Sequence, residues 1–109
     1  METEIVEEGE VKLVVPKLEK YKTSEKEYVP SKTPVFFNPV MEITRDISVS
    51  SLQVLGEDIE GLRICDALAG VGARGLRYAK ELENPGKVVI KDRSEDAANL
   101  IRKNIKENC

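Results

Sequence analysis

The chain has 109 residues and a formal net charge of −3, with 40% hydrophobic and 34% charged residues. These proportions are ordinary for one soluble domain, and the negative charge argues against a self-contained nucleic-acid binder, which normally carries a basic surface. Histidine is absent and cysteine occurs twice, which excludes a zinc-ligand set and a disulfide framework, so we predict no metal site.

Residues 1–33 are predicted to form a strand and a charged connector. Val11, Leu13 and Val15 recur at every second position, the period of a half-buried strand, and a proline follows them. The charged stretch from there to Lys32 favours an extended or flexible connector.

The cellular compartment is predicted from what the N-terminus and the apolar runs lack. The glutamate-rich start carries no basic residue and fits neither a secretory signal nor a transit peptide. No apolar run approaches the roughly 20 residues that a membrane-spanning helix needs. We therefore expect a cytoplasmic protein with no membrane association.

Residues 34–60 are predicted to contain an extended apolar segment and one helix. Asn38 suits the N-cap of that helix and Pro39 its first position. The helix is predicted to run to about Leu55. Residues at a spacing of four share one of its faces, namely Ile43, Ile47, Ser51 and Leu55.

Residues 61–109 follow a strand–helix–strand–helix pattern. We predict a strand over residues 62–68, a helix over 76–83 that residues 84–86 stop, a buried strand over 88–90 and a second helix capped by Ser94. The inner face of this last helix is predicted to comprise Ala98, Ile101 and Ile105. The order indicates an α/β fold in which two βα units form a parallel sheet with right-handed crossovers.

A glycine-rich turn is predicted between the first strand and helix of these units. Gly70, Gly72 and Gly75 match the pattern G-x-G-x-x-G, and Asp92 follows the next strand, 20 residues after Gly72. Glycines there let a nucleotide approach the backbone closely, and an acid after the second strand can bind ribose hydroxyls. The alternative is a glycine turn that only joins packed elements.

Asp66 helps to identify the class of nucleotide. It lies at the end of the first strand, four residues before Gly70, where a carboxylate would repel a pyrophosphate. S-adenosylmethionine has no phosphate, and its ammonium and sulfonium groups favour a nearby negative charge. An S-adenosylmethionine site is thus favoured over a nicotinamide-dependent oxidoreductase. The alternative for Asp66 is an ordinary polar residue at a strand end. A non-catalytic adenosine- or partner-binding module is a further alternative for the function.

The chain resembles the tRNA (guanine(26)-N(2))-dimethyltransferase family, especially its archaeal members. The segments that carry the resemblance are VFFNP at 35–39, RDISV at 45–49, DAL at 66–68, RGLR at 74–77 and DRSEDA at 92–97. The similarity extends in the same order over residues 8–108. It implies a Rossmann-like class I methyltransferase fold, the cofactor S-adenosylmethionine, and dimethylation of the N2 amine of guanosine 26 in tRNA.

The resemblance also implies that Arg45, Arg74 and Asp92 contact S-adenosylmethionine. The arginines suit its methionine carboxylate and Asp92 its ribose. With Asp66, these residues make up the predicted cofactor-binding set. The alternative for each arginine is an ordinary surface charge.

No catalytic residue is predicted within these 109 residues. The resemblance implies an Asp-Pro-Phe-Gly motif after the fourth strand of the nucleotide fold, which orients the target amine towards the methyl group. No aspartate of this chain precedes a proline, and Asn38-Pro39 is interpreted as a helix cap. We therefore expect an N-terminal fragment, inactive alone, of an enzyme that contacts tRNA mainly through its C-terminal part.

Overall fold

The computed structural model describes residues 1–22 and 29–109. The strands are β1 (Thr3–Glu8), β2 (Val11–Pro16), β3 (Leu62–Asp66) and β4 (Pro85–Ile90), and the helices are α1 (Glu42–Glu57), α2 (Ala73–Glu81) and α3 (Glu95–Asn108). Short 3-10 turns cover Leu18–Tyr21, Pro30–Lys32 and Pro39–Met41. Part of the predicted connector, positions 23–28, lies outside the described residues. No helix in the described ranges is long and apolar enough to cross a membrane.

The N-terminus forms a β-hairpin, where the sequence predicted a single strand. β2 is the predicted strand, and β1 pairs with it antiparallel, Glu8 lying opposite Val11. β1 lacks the usual signal because its burial is inverted: Ile5 is exposed and Glu8 is buried. The predicted alternation in β2 holds at Val11 and Lys12, but Val14 is buried as well, because β2 lies in the centre of the core.

The helix signal at Asn38 is confirmed. The face that packs inwards is not the one that carries the residues at a spacing of four. Asn38 Oδ1 accepts the Val40 N–H at 3.1 Å, and Pro39 opens a 3-10 turn that leads into α1. α1 packs against α2 through the side that carries Arg45, which is buried. The face of the spacing-four residues points to solvent instead, since these four side chains are exposed: Ile43, Ile47, Ser51 and Leu55.

The two predicted βα units are present, and β3 pairs with β4 in parallel. α2 begins at Ala73, three residues before its predicted start, because the glycine turn leads into it directly. β4 begins at Pro85, so the predicted helix stop at residues 84–86 belongs mostly to the strand. The prediction that residues 88–90 are buried is wrong for Val89, which is exposed on the open face of this two-stranded sheet.

α3 joins the hairpin to the glycine turn. Ser94 Oγ accepts the Ala97 N–H at 3.3 Å, which confirms the predicted cap. Ile101 is buried as predicted, whereas Ala98 is half-buried and Ile105 is exposed. The buried face of α3 lies one position away from the predicted one and comprises Ala97, Leu100, Ile101 and Asn104.

Candidate functional site

The glycine turn has a backbone that other residues would strain. Gly70 has φ +57° and Gly72 has φ +89°, the left-handed region that glycine enters without steric cost. A Cβ on Gly70 would also collide with the carbonyl oxygen of Phe36. That carbonyl accepts the Val71 N–H at 3.3 Å, so the segment before α1 lies directly against the turn.

Asp66 joins the end of β3 to the first turn of α2. Its Oδ2 accepts the Gly75 N–H at 3.0 Å. A Cβ on Gly75 would lie 2.5 Å from Ile90 Cγ1, so only glycine lets α2 sit this close to the strand ends. Burial raises the pKa of Asp66 above its ordinary value, and the Gly75 N–H and the Arg74 charge offset part of that rise.

Asp92 connects the end of β4 to the same turn. Its Oδ2 accepts the Gly70 N–H and its Oδ1 accepts the Ser94 N–H, both at 2.9 Å. A carboxylate has about four lone-pair positions, so Asp92 retains capacity for further donors such as hydroxyl groups. The sequence placed this acid correctly beside the turn.

Three of the four predicted cofactor-binding residues line one small cavity. Arg45, Asp66 and Arg74 face a volume of about 60 Å³ together with Phe37 and other residues around the glycine turn. The cavity is small and charged side chains line it, so it suits a small polar group rather than a whole nucleoside. Asp92 does not line this cavity; it borders a separate depression of about 240 Å³ beside α3.

Arg74 is available for a ligand. Its side chain is half-buried in the first turn of α2. Within residues 1–22 and 29–109 it makes neither a hydrogen bond nor an ion pair, although it lies near enough to Asp66 to influence it electrostatically. A guanidinium with free N–H groups at a cavity wall can bind a carboxylate through two parallel hydrogen bonds.

Arg45 has a different environment, and its burial excludes the surface-charge interpretation. It is 3% exposed. Its Nε and Nη2 donate to Glu8 at 2.7 and 2.6 Å, and its Nη1 donates to the Asn38 carbonyl at 3.1 Å. The guanidinium also lies over the Phe37 ring, 5.0 Å from its centre, a distance at which a cation–π contact is favourable.

The sequence did not reveal a buried charge cluster behind this cavity. Arg77 donates to Glu81 at 2.7 Å, to Asp46 at 2.7 Å and to Glu8 at 3.3 Å. These carboxylates, Glu81 foremost, raise the pKa of Arg77 above its already high value. The spacing of Arg77 and Glu81 on one helix is a recognisable signal. Glu8, by contrast, is brought to Arg45 only by the fold.

A metal-binding arrangement is absent from the described ranges. No group of three or more Asp, Glu or Cys side chains converges there as metal ligands would. The candidate site consists of the cavity, the glycine turn and Asp92.

Comparison with known proteins identifies the family. The model of a family described as N2,N2-dimethylguanosine tRNA methyltransferase matches residues 9–109. The chain belongs to this family. It is 43% identical over 109 residues to the tRNA (guanine(26)-N(2))-dimethyltransferase of Methanosphaera stadtmanae. Identity to the protein of the same name from Methanopyrus kandleri is 44% over 108 residues.

The chain spans about a quarter of these relatives. The matches cover 99% of this chain but 26% of the Methanosphaera protein and 25% of the Methanopyrus protein. The structure is also similar to that of Trm1 from Pyrococcus horikoshii in complex with S-adenosyl-L-methionine. That match has a TM-score of 0.71 and 36% sequence identity, and it covers 96% of this chain and 24% of that one. The similarity confirms the predicted partial Rossmann-like methyltransferase fold.

Proposed function

We propose that this chain forms the cofactor-binding N-terminal part of an enzyme that dimethylates the N2 amine of guanosine 26 in tRNA. The observation that carries the proposal is the convergence of Arg45, Asp66 and Arg74 on one cavity at the carboxyl ends of parallel strands. Nucleotide ligands bind at this edge of α/β sheets. The reaction follows from the names of the relatives, and the cofactor from the Pyrococcus protein, whose structure is a complex with S-adenosyl-L-methionine.

The charges at the cavity suit the amino-acid end of that cofactor. Its carboxylate would bind Arg74 and Arg45, and its ammonium group would lie near Asp66. The small volume fits this end of the molecule better than the adenosine. Bound S-adenosylmethionine supplies a methyl group on a positively charged sulfur.

Asp92 would hold the ribose of the cofactor. Its hydrogen bonds to the backbone of Gly70 and Ser94 fix the carboxylate against the glycine turn, so little freedom is lost when the ribose hydroxyls donate to its remaining lone pairs. The groups that orient the guanine amine and most contacts to tRNA would lie in the length of the relatives that this chain does not span.

Calorimetric binding to the complete protein tests this function. S-adenosylhomocysteine should bind and NAD should not. Asp92→Ala should weaken S-adenosylhomocysteine binding by about 1.5–3 kcal/mol, the range for hydrogen bonds to a charged group. The matched control is Asp96→Ala, an exposed acid in the first turn of α3, which should leave the affinity unchanged.

The possible contrary results point to different corrections. Binding of NAD without S-adenosylhomocysteine would favour the oxidoreductase alternative. An unchanged affinity in Asp92→Ala would move the ribose contact to another residue while leaving the cofactor class intact.

A further inference from the structure

Glu8 is a buried acid in a strand whose other residues are half-buried or exposed. It is the last residue of β1 and is 4% exposed. Both of its carboxylate oxygens are used: Oε1 accepts from Arg45 Nη2, and Oε2 accepts from Arg45 Nε and from Arg77 Nη1. Burying a carboxylate is costly unless it is paired in this way.

The two arginines do not depend on Glu8 equally. Arg77 is also paired with Asp46 and Glu81, and its contact to Glu8 is the longest of the three at 3.3 Å. Arg45 has Glu8 as its one ion-pair partner within the described part of the chain. The specific effect of Glu8 therefore falls on Arg45.

The contact fixes the orientation of the Arg45 guanidinium. Glu8 binds Nε and Nη2 together, which defines the plane of the group, and the Asn38 carbonyl binds Nη1. Of the five N–H groups of an arginine, one on each terminal nitrogen is left without a hydrogen bond among the described residues. Both terminal nitrogens therefore keep an N–H group that can donate to a ligand carboxylate.

We infer that Glu8 is a positioning residue of the cofactor site, which orients Arg45 towards the ligand carboxylate without touching the ligand. The inference rests on the proposed function. It makes the N-terminal hairpin, which lines no part of the cavity, a determinant of cofactor affinity. Removing the Glu8 charge while leaving Arg45 in place would strengthen carboxylate binding if charge alone mattered, and would weaken it if orientation matters.

The test compares two ligands in the complete protein without tRNA. S-adenosylmethionine and its decarboxylated form share the adenosine, the sulfonium and the ammonium group, and differ in the carboxylate. Glu8→Gln should raise the Kd of S-adenosylmethionine about tenfold, which corresponds to about 1.4 kcal/mol. The Kd of the decarboxylated form should stay within about twofold, because that form offers Arg45 no partner.

The matched control is Glu7→Gln, an exposed acid next to Glu8 in β1, which should change neither Kd. Glu8→Asp retains the charge but is one methylene shorter, so it cannot keep both contacts to Arg45 in place. It should show the same selective loss, and it replaces Glu8→Gln if that variant does not fold.

Three results would overturn the inference alone: equal weakening for both ligands, which indicates a purely structural role; tighter S-adenosylmethionine binding; or no change. If the unmodified protein binds S-adenosylmethionine in none of these measurements, the proposed function fails and the inference fails with it. The two failures are therefore distinguished by the unmodified protein.

Discussion

Two arginine residues line the same cavity but differ in burial and in hydrogen bonding. Arg45 is buried and hydrogen-bonded to Glu8, whereas Arg74 is half-buried and makes no hydrogen bond within the described residues. A substitution at Arg74 therefore separates ligand binding from stability, which a substitution at Arg45 does not.

We expect Arg74→Lys to weaken S-adenosylhomocysteine binding about tenfold while leaving the free energy of unfolding within about 0.5 kcal/mol. Lysine keeps the charge but loses the planar pair of N–H donors. Calorimetry and urea unfolding of the complete protein measure the two quantities. Arg63→Lys, an exposed position in β3, is the control that should change neither. Unaltered affinity of Arg74→Lys for S-adenosylhomocysteine would indicate that Arg74 is an ordinary surface charge.

We expect Asp66→Asn to weaken cofactor binding about tenfold without lowering stability. The introduced amide could still accept the Gly75 N–H, and the substitution removes a carboxylate whose pKa burial raises. Because the pKa of Asp66 is higher in the folded state, ionisation of this carboxyl lowers the free energy of unfolding. The loss is absent below the pKa of the unfolded state, about 3.9, and grows as the pH rises through the pKa of the folded state. Relative to the unmodified protein, the variant should thus gain stability between about pH 4 and pH 7. Urea unfolding across that range would contradict this if the difference fell with rising pH.

Local patterns predicted much of the site, and long-range contacts account for what they missed. Asp66 ends one strand and Asp92 follows another, where sequence position alone determines location, whereas Arg74 was implied by the family resemblance. The burial of Arg45 depends on Glu8, which is 37 positions away and carries no local signal. The family resemblance therefore pointed to Arg45, which lines the cavity, but did not reveal what holds it.

Two asparagine side chains of α3 form hydrogen bonds with the backbone of β2 in the hairpin. Asn104 Oδ1 accepts the Val14 N–H at 2.6 Å, and its Nδ2 donates to the carbonyls of Val14 and Val71 at 3.0 and 2.9 Å. One turn later, Asn108 exchanges the same two bonds with Lys12, at 2.9 and 2.8 Å. A helix turn of four residues advances about 6 Å and two strand residues about 6.6 Å, so the amides match the edge of β2.

We expect Asn104→Leu to lower the free energy of unfolding by about 3 kcal/mol or more. Asn104 is fully buried, so its loss leaves the Val14 backbone groups and the Val71 carbonyl without this partner, at about 1–3 kcal/mol for each unsatisfied group. Asn108→Leu is the control: this residue is partly exposed, water can replace its bonds, and the loss should stay below about 1 kcal/mol. Equal effects in urea unfolding would show that the Asn104 bonds contribute nothing specific.

The order of elements was easier to predict than their faces. Strand, glycine turn, helix and cap signals predicted β2, β3, β4 and all three helices, because each depends on neighbours in the chain. The inward side of α1 was not predicted, since it carries the charged Arg45 while Ile43 and Ile47 point outwards. β1 was missed for the same reason: a buried glutamate reverses the expected pattern.

At the scale of the whole molecule, large apolar side chains lie open to solvent. On the outer side of α1 and the turn before it, Val40 is 82% exposed and Ile43 is 68% exposed. Leu68 at the glycine turn is also exposed, as is Val89 on the open face of the sheet. Parallel sheets are normally covered on both faces, and exposed apolar surface favours association.

We expect the isolated 109-residue chain to be marginally stable and to transfer no methyl group to tRNA. Its exposed apolar side chains and unpaired strand edges leave less burial to oppose chain entropy and favour aggregation. Circular dichroism should show a broad thermal transition below about 60 °C, within the ordinary mesophilic range, and a dye that reports apolar surface should bind. Methyl transfer should be absent because the groups that orient the amine are proposed to lie elsewhere in the enzyme. A sharp transition above that temperature would contradict only the stability prediction. Methylation of tRNA by the chain alone, above a no-enzyme control, would show that these 109 residues already hold the target amine.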